Sequence, residues 1–356
     1  MAFLKRFICG LFVLALLTVH ASALSVQASS SILMDAESGR VLFGKGIHDR
    51  RLIASITKLM TALIAAEYCK DPDEEILIRQ EWTGAEGSSI YLQPGEKVTF
   101  RELLYGALLN SGNDAAVSLA CWVAGDEAAF AVLMNEKAVS LGMNNSSFAN
   151  ASGLNHESHY STAYDMALLT RACLKNPLVA EACATRSITI GTRTFVNHNK
   201  LLYLYKDCIG MKTGYTELAG RTLISAAKRN GQTLICVTLN DGDDWNDHKK
   251  LLDYGFEVYP QQTLAEQGEF FACRPVRDSL VPRVEVAAAK RFCYPLKAGD
   301  HPELRLELVE TLIAPVPVGT QAGKAVWSLN GEVIGEIDLI CAKKVESNLV
   351  CKPRMR

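Results

Sequence analysis

Residues 53–67 read IASITKLMTALIAAE: a polar tetrad, Ser55-Ile56-Thr57-Lys58, followed by a run in which Leu59, Leu63, Ile64 and Ala66 leave little polar face. A helix that is apolar nearly all round belongs inside a core, so a buried helix is expected from about residue 55 to 68. At its start, Ser55 and Lys58 lie three residues apart and project from one face, a turn apart. In that geometry an amine can serve as base to a hydroxyl, and the helix N-terminus favours negative charge developing near Ser55. Lys58 must then be neutral part of the time, which burial and a second nearby cation both promote.

Upstream, residues 31–35 and 40–43 are short β-prone runs around Glu37-Ser38-Gly39, a hairpin signal. Downstream, residues 100–175 carry a helical pattern with breaks at Gly112, Gly125, Gly142 and Gly153. The pattern returns to β over 207–240, with strands expected at 207–212, 221–227 and 233–239. β elements near both ends of the first 240 residues therefore enclose a mainly helical insertion. This is an α+β plan, a sheet collecting strands from distant parts of the chain with an all-α lobe beside it. After residues 251–259, Pro275, Pro282, Pro295, Pro315 and Pro317 punctuate short alternating runs, and Asn330-Gly331 carries the signal of a tight hairpin. A first domain over 24–262 and a small all-β domain over 265–356 are expected.

The 356 residues, 49% hydrophobic and 21% charged, can bury a large core and should form about two domains. A formal net charge of −2 gives no basic excess of the kind that nucleic acid or anionic lipid, held by bulk electrostatics, requires. Lys5 and Arg6, the apolar run 7–17, and Ala21 with Ala23 read as a secretory signal over residues 1–23. The run is short of the roughly 20 residues that span a bilayer. Export permits disulfides. Of eleven cysteines, Cys9 falls in the leader, while Cys69, Cys121, Cys173 and Cys236 sit in apolar runs, so mostly free thiols are expected. Cys273 with Cys293 and Cys341 with Cys351 are the pairs to test first.

SxxK alone is a cheap pattern: Ser225-Ala226-Ala227-Lys228 has the same spacing in an expected strand, where alternation puts the two side chains on opposite faces. Ser111-Gly112-Asn113 would present a hydroxyl and an amide from a loop. Ser328-Leu329-Asn330 matches that pattern in a hairpin, and a loop or helix cap accounts for such a triplet equally well. Lys212-Thr213-Gly214 is the only KTG, and it ends a β run. On a sheet edge Lys212 and Thr213 can bind a carboxylate while Gly214 lets backbone come close; alone, the triplet is a strand-ending turn. Weight comes from the order: SxxK on a helix start, SxN on a loop, KTG on a strand.

That ordered set lies within EGSSIYLQPGEKVTFRELLYGALLNSGNDAAVSLA at 86–120, HYSTAYDMA at 159–167 and IGMKTGYTELAGRTLISAAKRNG at 209–231, together with the stretch quoted first. The chain thereby resembles the low-molecular-mass penicillin-binding, serine D-alanyl-D-alanine carboxypeptidases of peptidase S11 type. The tail resembles the family's C-terminal β domain more loosely. The resemblance implies a β-lactamase/transpeptidase-like domain, an antiparallel sheet flanked by helices plus an all-α lobe. It also implies that Ser55 forms an acyl-enzyme, that Lys58 takes its proton and that Ser111 passes a proton to the leaving D-alanine. Asn113 would contact the substrate amide, and Lys212 with Thr213 would hold the terminal carboxylate, Gly214 letting backbone approach the substrate closely. The backbone N–H groups of Ser55 and Tyr215 would meet the oxyanion. Expected partners are peptidoglycan stem peptides ending in D-Ala-D-Ala, with β-lactam antibiotics as covalent inhibitors, in an extracytoplasmic setting and with no cofactor or metal.

His156-Glu157-Ser158-His159 is one residue short of HExxH and reads as loop polarity; Asp241-Gly242-Asp243-Asp244 lacks the glycine and terminal glutamate of an EF-hand and reads as a solvated connection. Family members often end in an amphipathic membrane helix. Here residues 348–356 are few and contain Pro353, which leaves membrane attachment open. A β-lactamase on the same fold would carry, in class A, a deacylating glutamate in an ExxxN pattern. None of Glu127, Glu136, Glu157 and Glu181 is followed four residues later by asparagine, and SGN replaces SDN. A non-hydrolytic wall-binding or penicillin-sensing protein is the other alternative, one with no need of the full set of reactive groups.

Overall fold

The computed structural model describes residues 24–348; the expected leader, Cys9 and Cys351 lie outside them. The chain opens with an antiparallel hairpin, β1 (Ser30–Asp35) and β2 (Val41–Lys45). A 3-10 turn, Ala54–Thr57, then feeds α1 (Lys58–Tyr68), in which Lys58 to Ala66 are all buried, as its apolar composition demands. Around α1 pack α2 (Phe100–Leu108), α3 (Asn113–Ala124), α4 (Glu127–Ser140), α5 (Ala163–Lys175) and α6 (Pro177–Ala184). Two small hairpins decorate this lobe, β3 (Glu75–Leu77) with β4 (Lys97–Thr99), and β5 (Ser187–Ile190) with β6 (Arg193–Val196). The short α7 (Leu201–Leu204) leads back to the sheet through β7 (Cys208–Gly210), β8 (Thr213–Thr216), β9 (Gly220–Arg229) and β10 (Gln232–Leu239), and α8 (Asp244–Val258) closes the domain.

The sheet runs β2-β1-β10-β9-β7, with β8 also on β9, and every pairing is antiparallel. Its first and last strands are neighbours, Ser30 opposite Leu239, which is the closure of distant segments expected of the α+β plan. Side-chain alternation divides the sheet cleanly. Leu33, Leu223, Leu234 and Cys236 face Leu251, Leu252 and Phe256 of α8, while Ile32, Met34, Ile224, Ile235 and Val237 join the core of the helical lobe.

Two expectations are corrected. Lys212-Thr213-Gly214 does not end a strand; β7 stops at Gly210, and Thr213 begins β8. The break arises because Gly210, at φ +111, runs so close to the end of α6 that a Cβ there would lie 2.1 Å from Cys183 O, and Met211 follows at φ 91. The helical pattern over 100–175 also fails between α4 and α5. There the chain is held by side-chain bonds to backbone, such as Asn135 Nδ2 to Phe148 O at 2.8 Å and Asn145 N to Asp165 Oδ2 at 2.8 Å.

The rest is all β: β11 (Gln261–Ala265), β12 (Phe270–Arg277), β13 (Arg283–Ala288), β14 (Phe292–Pro295), β15 (Glu303–Leu308), β16 (Leu312–Ile313), β17 (Gln321–Leu329) and β18 (Glu332–Cys341). Six form the sheet β15-β17-β18-β13-β12-β16, and β11 pairs β14. Val284, Val286, Trp327, Ile337 and Leu339 give it a core of its own. Asn330 and Gly331, at φ 53 and 85, make the expected hairpin turn. Arg40, at the start of the first hairpin's return strand, ties the two parts together. Its Nη2 lies 2.9 Å from Asp300, its Nη1 donates to Pro295 O at 2.5 Å, and its guanidinium stands over the rings of Tyr259 and Tyr294. The described cysteines are free thiols, Cys273 and Cys293 included.

Candidate active site

Ser55 sits partly buried in the 3-10 turn ahead of α1, and Lys58, the first residue of α1, is wholly buried. Lys58 Nζ has three oxygen neighbours: Ser55 Oγ at 2.8 Å, Asn113 Oδ1 at 2.7 Å and Ser152 O at 2.7 Å. Only Ser55 among them can donate a proton, because Asn113 uses its Nδ2 on Glu86 O, which fixes its Oδ1 toward the lysine. A neutral Lys58 therefore spends its two N–H bonds on Asn113 and Ser152 and turns its lone pair to the Ser55 hydroxyl. Burial, and after it the charge of Lys212, push the Lys58 amine well below its ordinary value, with Asp114 opposing in part.

Asn113 is delivered by the start of α3, directly after Ser111 at φ 61 and Gly112. Its N–H donates to Ser88 O at 2.7 Å. The neighbouring Asp114 accepts from Ser89 Oγ at 2.6 Å, Ile90 N at 3.0 Å and Leu92 N at 3.1 Å, which fastens the 86–92 loop over the helix N-terminus.

β8 forms the facing wall. A Cβ on Gly214 would lie 2.5 Å from Thr222 Oγ1 and 2.9 Å from Ser55 N, so only glycine lets this strand run against the turn that carries Ser55. Ile224 N donates to Lys212 O at 2.9 Å, and in the observed register the bonded positions then alternate through Gly214 and Thr216. The N–H groups of Thr213 and Tyr215 consequently point away from β9, toward Ser55. Lys212 is 1% exposed, donates to Thr213 O at 3.0 Å and is brought down to about 8 by burial.

All eight residues singled out by sequence thus converge. Ser55, Ser111, Thr213, Gly214 and Tyr215 line a cleft of about 330 Å³, and Lys58, Asn113 and Lys212 lie beneath its floor. Residues 17–243 match the D-alanyl-D-alanine carboxypeptidase family, peptidase S11, and residues 259–347 match the C-terminal domain of penicillin-binding protein 5. The chain belongs to the D-alanyl-D-alanine carboxypeptidase family.

Among curated relatives, the family's DacF from Bacillus subtilis is 31% identical over 330 residues, covering 88% of this chain and 85% of its own length. DacC from Escherichia coli is 34% identical over 343 residues, covering 90% and 85%. Among solved structures, penicillin binding protein 5 from Haemophilus influenzae superposes with a TM-score of 0.76 at 27% identity, covering 91% of this chain and 98% of that one. PBP3 from Streptococcus pneumoniae, titled a peptidoglycan synthesis regulatory factor, gives 0.82 at 25%, covering 90% and 100%.

In this carboxypeptidase the cleft also contains groups that sequence reasoning passed over. Arg221, on β9 directly opposite Tyr215 of β8, lines it while bonding Asp244 in a fork, Nε to Oδ2 at 3.0 Å and Nη2 to Oδ1 at 2.9 Å, with Trp245 beside the guanidinium. Its register was the available signal, since Thr213, Tyr215 and Arg221 share one face of the sheet. Asp241-Gly242-Asp243-Asp244 is accordingly no solvated connection: Asp241 and Asp244 are 1% and 3% exposed, and Asp244 is the partner of a cleft arginine. His156-Glu157-Ser158-His159 does lie in a loop, but His159 is 1% exposed and hydrogen-bonded at both ring nitrogens, which corrects the reading as loop polarity. Ser225 and Lys228 fall on opposite faces of β9, Ser225 buried against His248 and Lys228 exposed.

Proposed function

We propose that this serine-type D-Ala-D-Ala carboxypeptidase removes the terminal D-alanine of peptidoglycan stem peptides through a Ser55 acyl-enzyme. Ser55 Oγ attacks the carbonyl between the two D-alanines as its proton passes to Lys58 Nζ. The backbone N–H groups of Ser55 and Tyr215, on either side of the Gly214 contact, take the developing oxyanion. Ser111 carries a proton to the departing amine, Asn113 holds the peptide amide, and Thr213 takes the terminal carboxylate with the charge of Lys212 beneath it and Arg221 beside it. The C–N bond breaks, free D-alanine leaves, and water then cleaves the ester to restore Ser55. A penicillin enters by the same attack and stays as a covalent adduct.

Residues 1–23 act as the export signal in this reading, which puts the mature chain outside the cytoplasmic membrane, with a catalytic domain over 24–262 and a β domain over 265–356. The observation that carries it is the Lys58 amine, whose neighbours other than Ser55 can only accept. The test is release of free D-alanine from a peptide ending in D-Ala-D-Ala, with mass mapping of a penicillin adduct. Wild type should do both, with the adduct on the peptide that holds Ser55, and Ser55→Ala should do neither. Rapid turnover of penicillin without D-alanine release would instead mark a β-lactamase, and an adduct on another residue would refute the assignment.

A further inference from the structure

Thr57 occupies the N-cap position of α1, where a threonine hydroxyl ordinarily accepts a backbone N–H of the first turn. It makes no such cap bond. Its Oγ1 is instead 2.8 Å from His159 Nε2, in the middle of the turn that carries Ser55 and Lys58. Ala149 N donates to His159 Nδ1 at 3.1 Å, so Nδ1 is the unprotonated nitrogen and the neutral ring donates its Nε2 proton to Thr57. Burial pushes the imidazole down to about 4, which keeps it neutral at working pH while these two bonds set its tautomer. Phe148 packs against the ring edge-on, and paired backbone bridges at Ser147–Tyr160 and Arg51–Ser161 hold the flanking chain.

The segment that His159 grips at Ala149 continues to Ala151, which accepts from Thr61 Oγ1 at 2.7 Å, and to Ser152, whose carbonyl accepts from Lys58. One ring thus spans the two pieces of backbone whose separation sets where the lysine amine can sit. We propose that His159 is a positioning residue for acyl transfer: by tying Ala149 to Thr57 it holds the Ser152 carbonyl and the Ser55–Lys58 turn at the spacing that aims the Lys58 lone pair at the Ser55 hydroxyl. This rests on the acyl-transfer reading above. His159 and Thr57 are buried and neither lines the cleft, so the effect belongs to the rate of bond making and not to recognition.

The test is stopped-flow acylation of the full chain by a fluorescent penicillin, resolving the non-covalent constant from the acylation rate. It compares wild type with His159→Gln, His159→Leu, Thr57→Val and the double variant His159→Leu/Thr57→Val. The leucine and valine variants should each acylate ~10–100-fold more slowly, the scale of a sub-ångström to ångström misplacement. The non-covalent constant should stay within ~2-fold, as expected when an interaction acts on the rate alone. The double variant should be no slower than the slower single, since both cut the same link. Glutamine, which offers a donor and an acceptor, should restore most of the rate. Wild-type rates in Thr57→Val or His159→Leu, multiplying losses in the double, or a loss confined to the non-covalent constant would each overturn the proposal. Should His159→Leu not fold, Thr57→Val, which deletes one hydroxyl, and His159→Gln decide it alone. A wild type that penicillin does not acylate would refute the acyl-transfer reading itself, whereas an acylated wild type with unimpaired variants refutes only the role of His159.

Discussion

Two buried lysines share the floor of the cleft and are asked for opposite charge states: Lys58 neutral to accept a proton, Lys212 cationic to attract a carboxylate. Lys212, at about 8, is charged below that pH and loses its proton above it. Rising pH therefore removes the attraction for the terminal carboxylate and, at the same time, the neighbouring charge that helps hold Lys58 down. A profile of kcat/KM on a D-Ala-D-Ala peptide should fall on its alkaline side with an apparent pKa of about 8. In Lys212→Arg the guanidinium stays charged past pH ~12, so this limb should move out of range; a limb that persists there belongs to another group. Arg221→Ala removes a charge-assisted contact with the carboxylate and should lower kcat/KM by ~10–100-fold, measured on the same peptide. Ser55, Lys58, Asn113 and Lys212 were legible because acyl transfer demands particular side chains and short motifs preserve their spacing. The Ser152 carbonyl was not, since a backbone acceptor has no residue type to announce it.

At the scale of elements, the catalytic turn is built from contacts that leave no room. Gly153, at φ +89, faces the 3-10 turn ahead of α1 so closely that a Cβ would lie 2.0 Å from Ala54 O and 2.8 Å from Thr57 Oγ1. Gly153→Ala should cost ~3 kcal/mol or more, combining a left-handed backbone with overpacking, and should slow acylation because the turn must shift. Denaturant unfolding and penicillin labelling check both, and a variant that matches wild type in the two would show that the contact does not constrain the turn. Periodicity located the strands and α1, since each has one buried face or is buried outright. It misjudged residues 141–162 because those are fixed by tertiary bonds from Asn135 and Asp165, and it put Lys212 at the end of a strand, where the chain instead has it in the gap between β7 and β8, because the break at Gly210 is imposed by α6.

At the scale of the molecule, Arg40 holds the β domain from the edge of the sheet opposite β8, through Asp300, Pro295 and the rings of Tyr259 and Tyr294. Removing it leaves Asp300, 6% exposed, without its cation. Arg40→Ala should weaken the docking by about 3 kcal/mol, the scale for breaking a buried pair. Limited proteolysis near residues 259–262 should then speed up while turnover of a small peptide is unchanged; equal protection would mean that the domains are held elsewhere. The interleaved sheet has a further consequence. Among the described residues β10 is the only strand paired with both β1 and β9, so a polypeptide ending before residue 232 lacks the backbone ladder that joins the first hairpin to β9, and the wall opposite Ser55 is left with only its direct contacts to the Ser55 turn. Broken or nascent copies that lack this strand should therefore lose most of their cutting power, because the wall opposite Ser55 is braced only when Gln232–Leu239 slots between β9 and a first strand made far earlier in the chain.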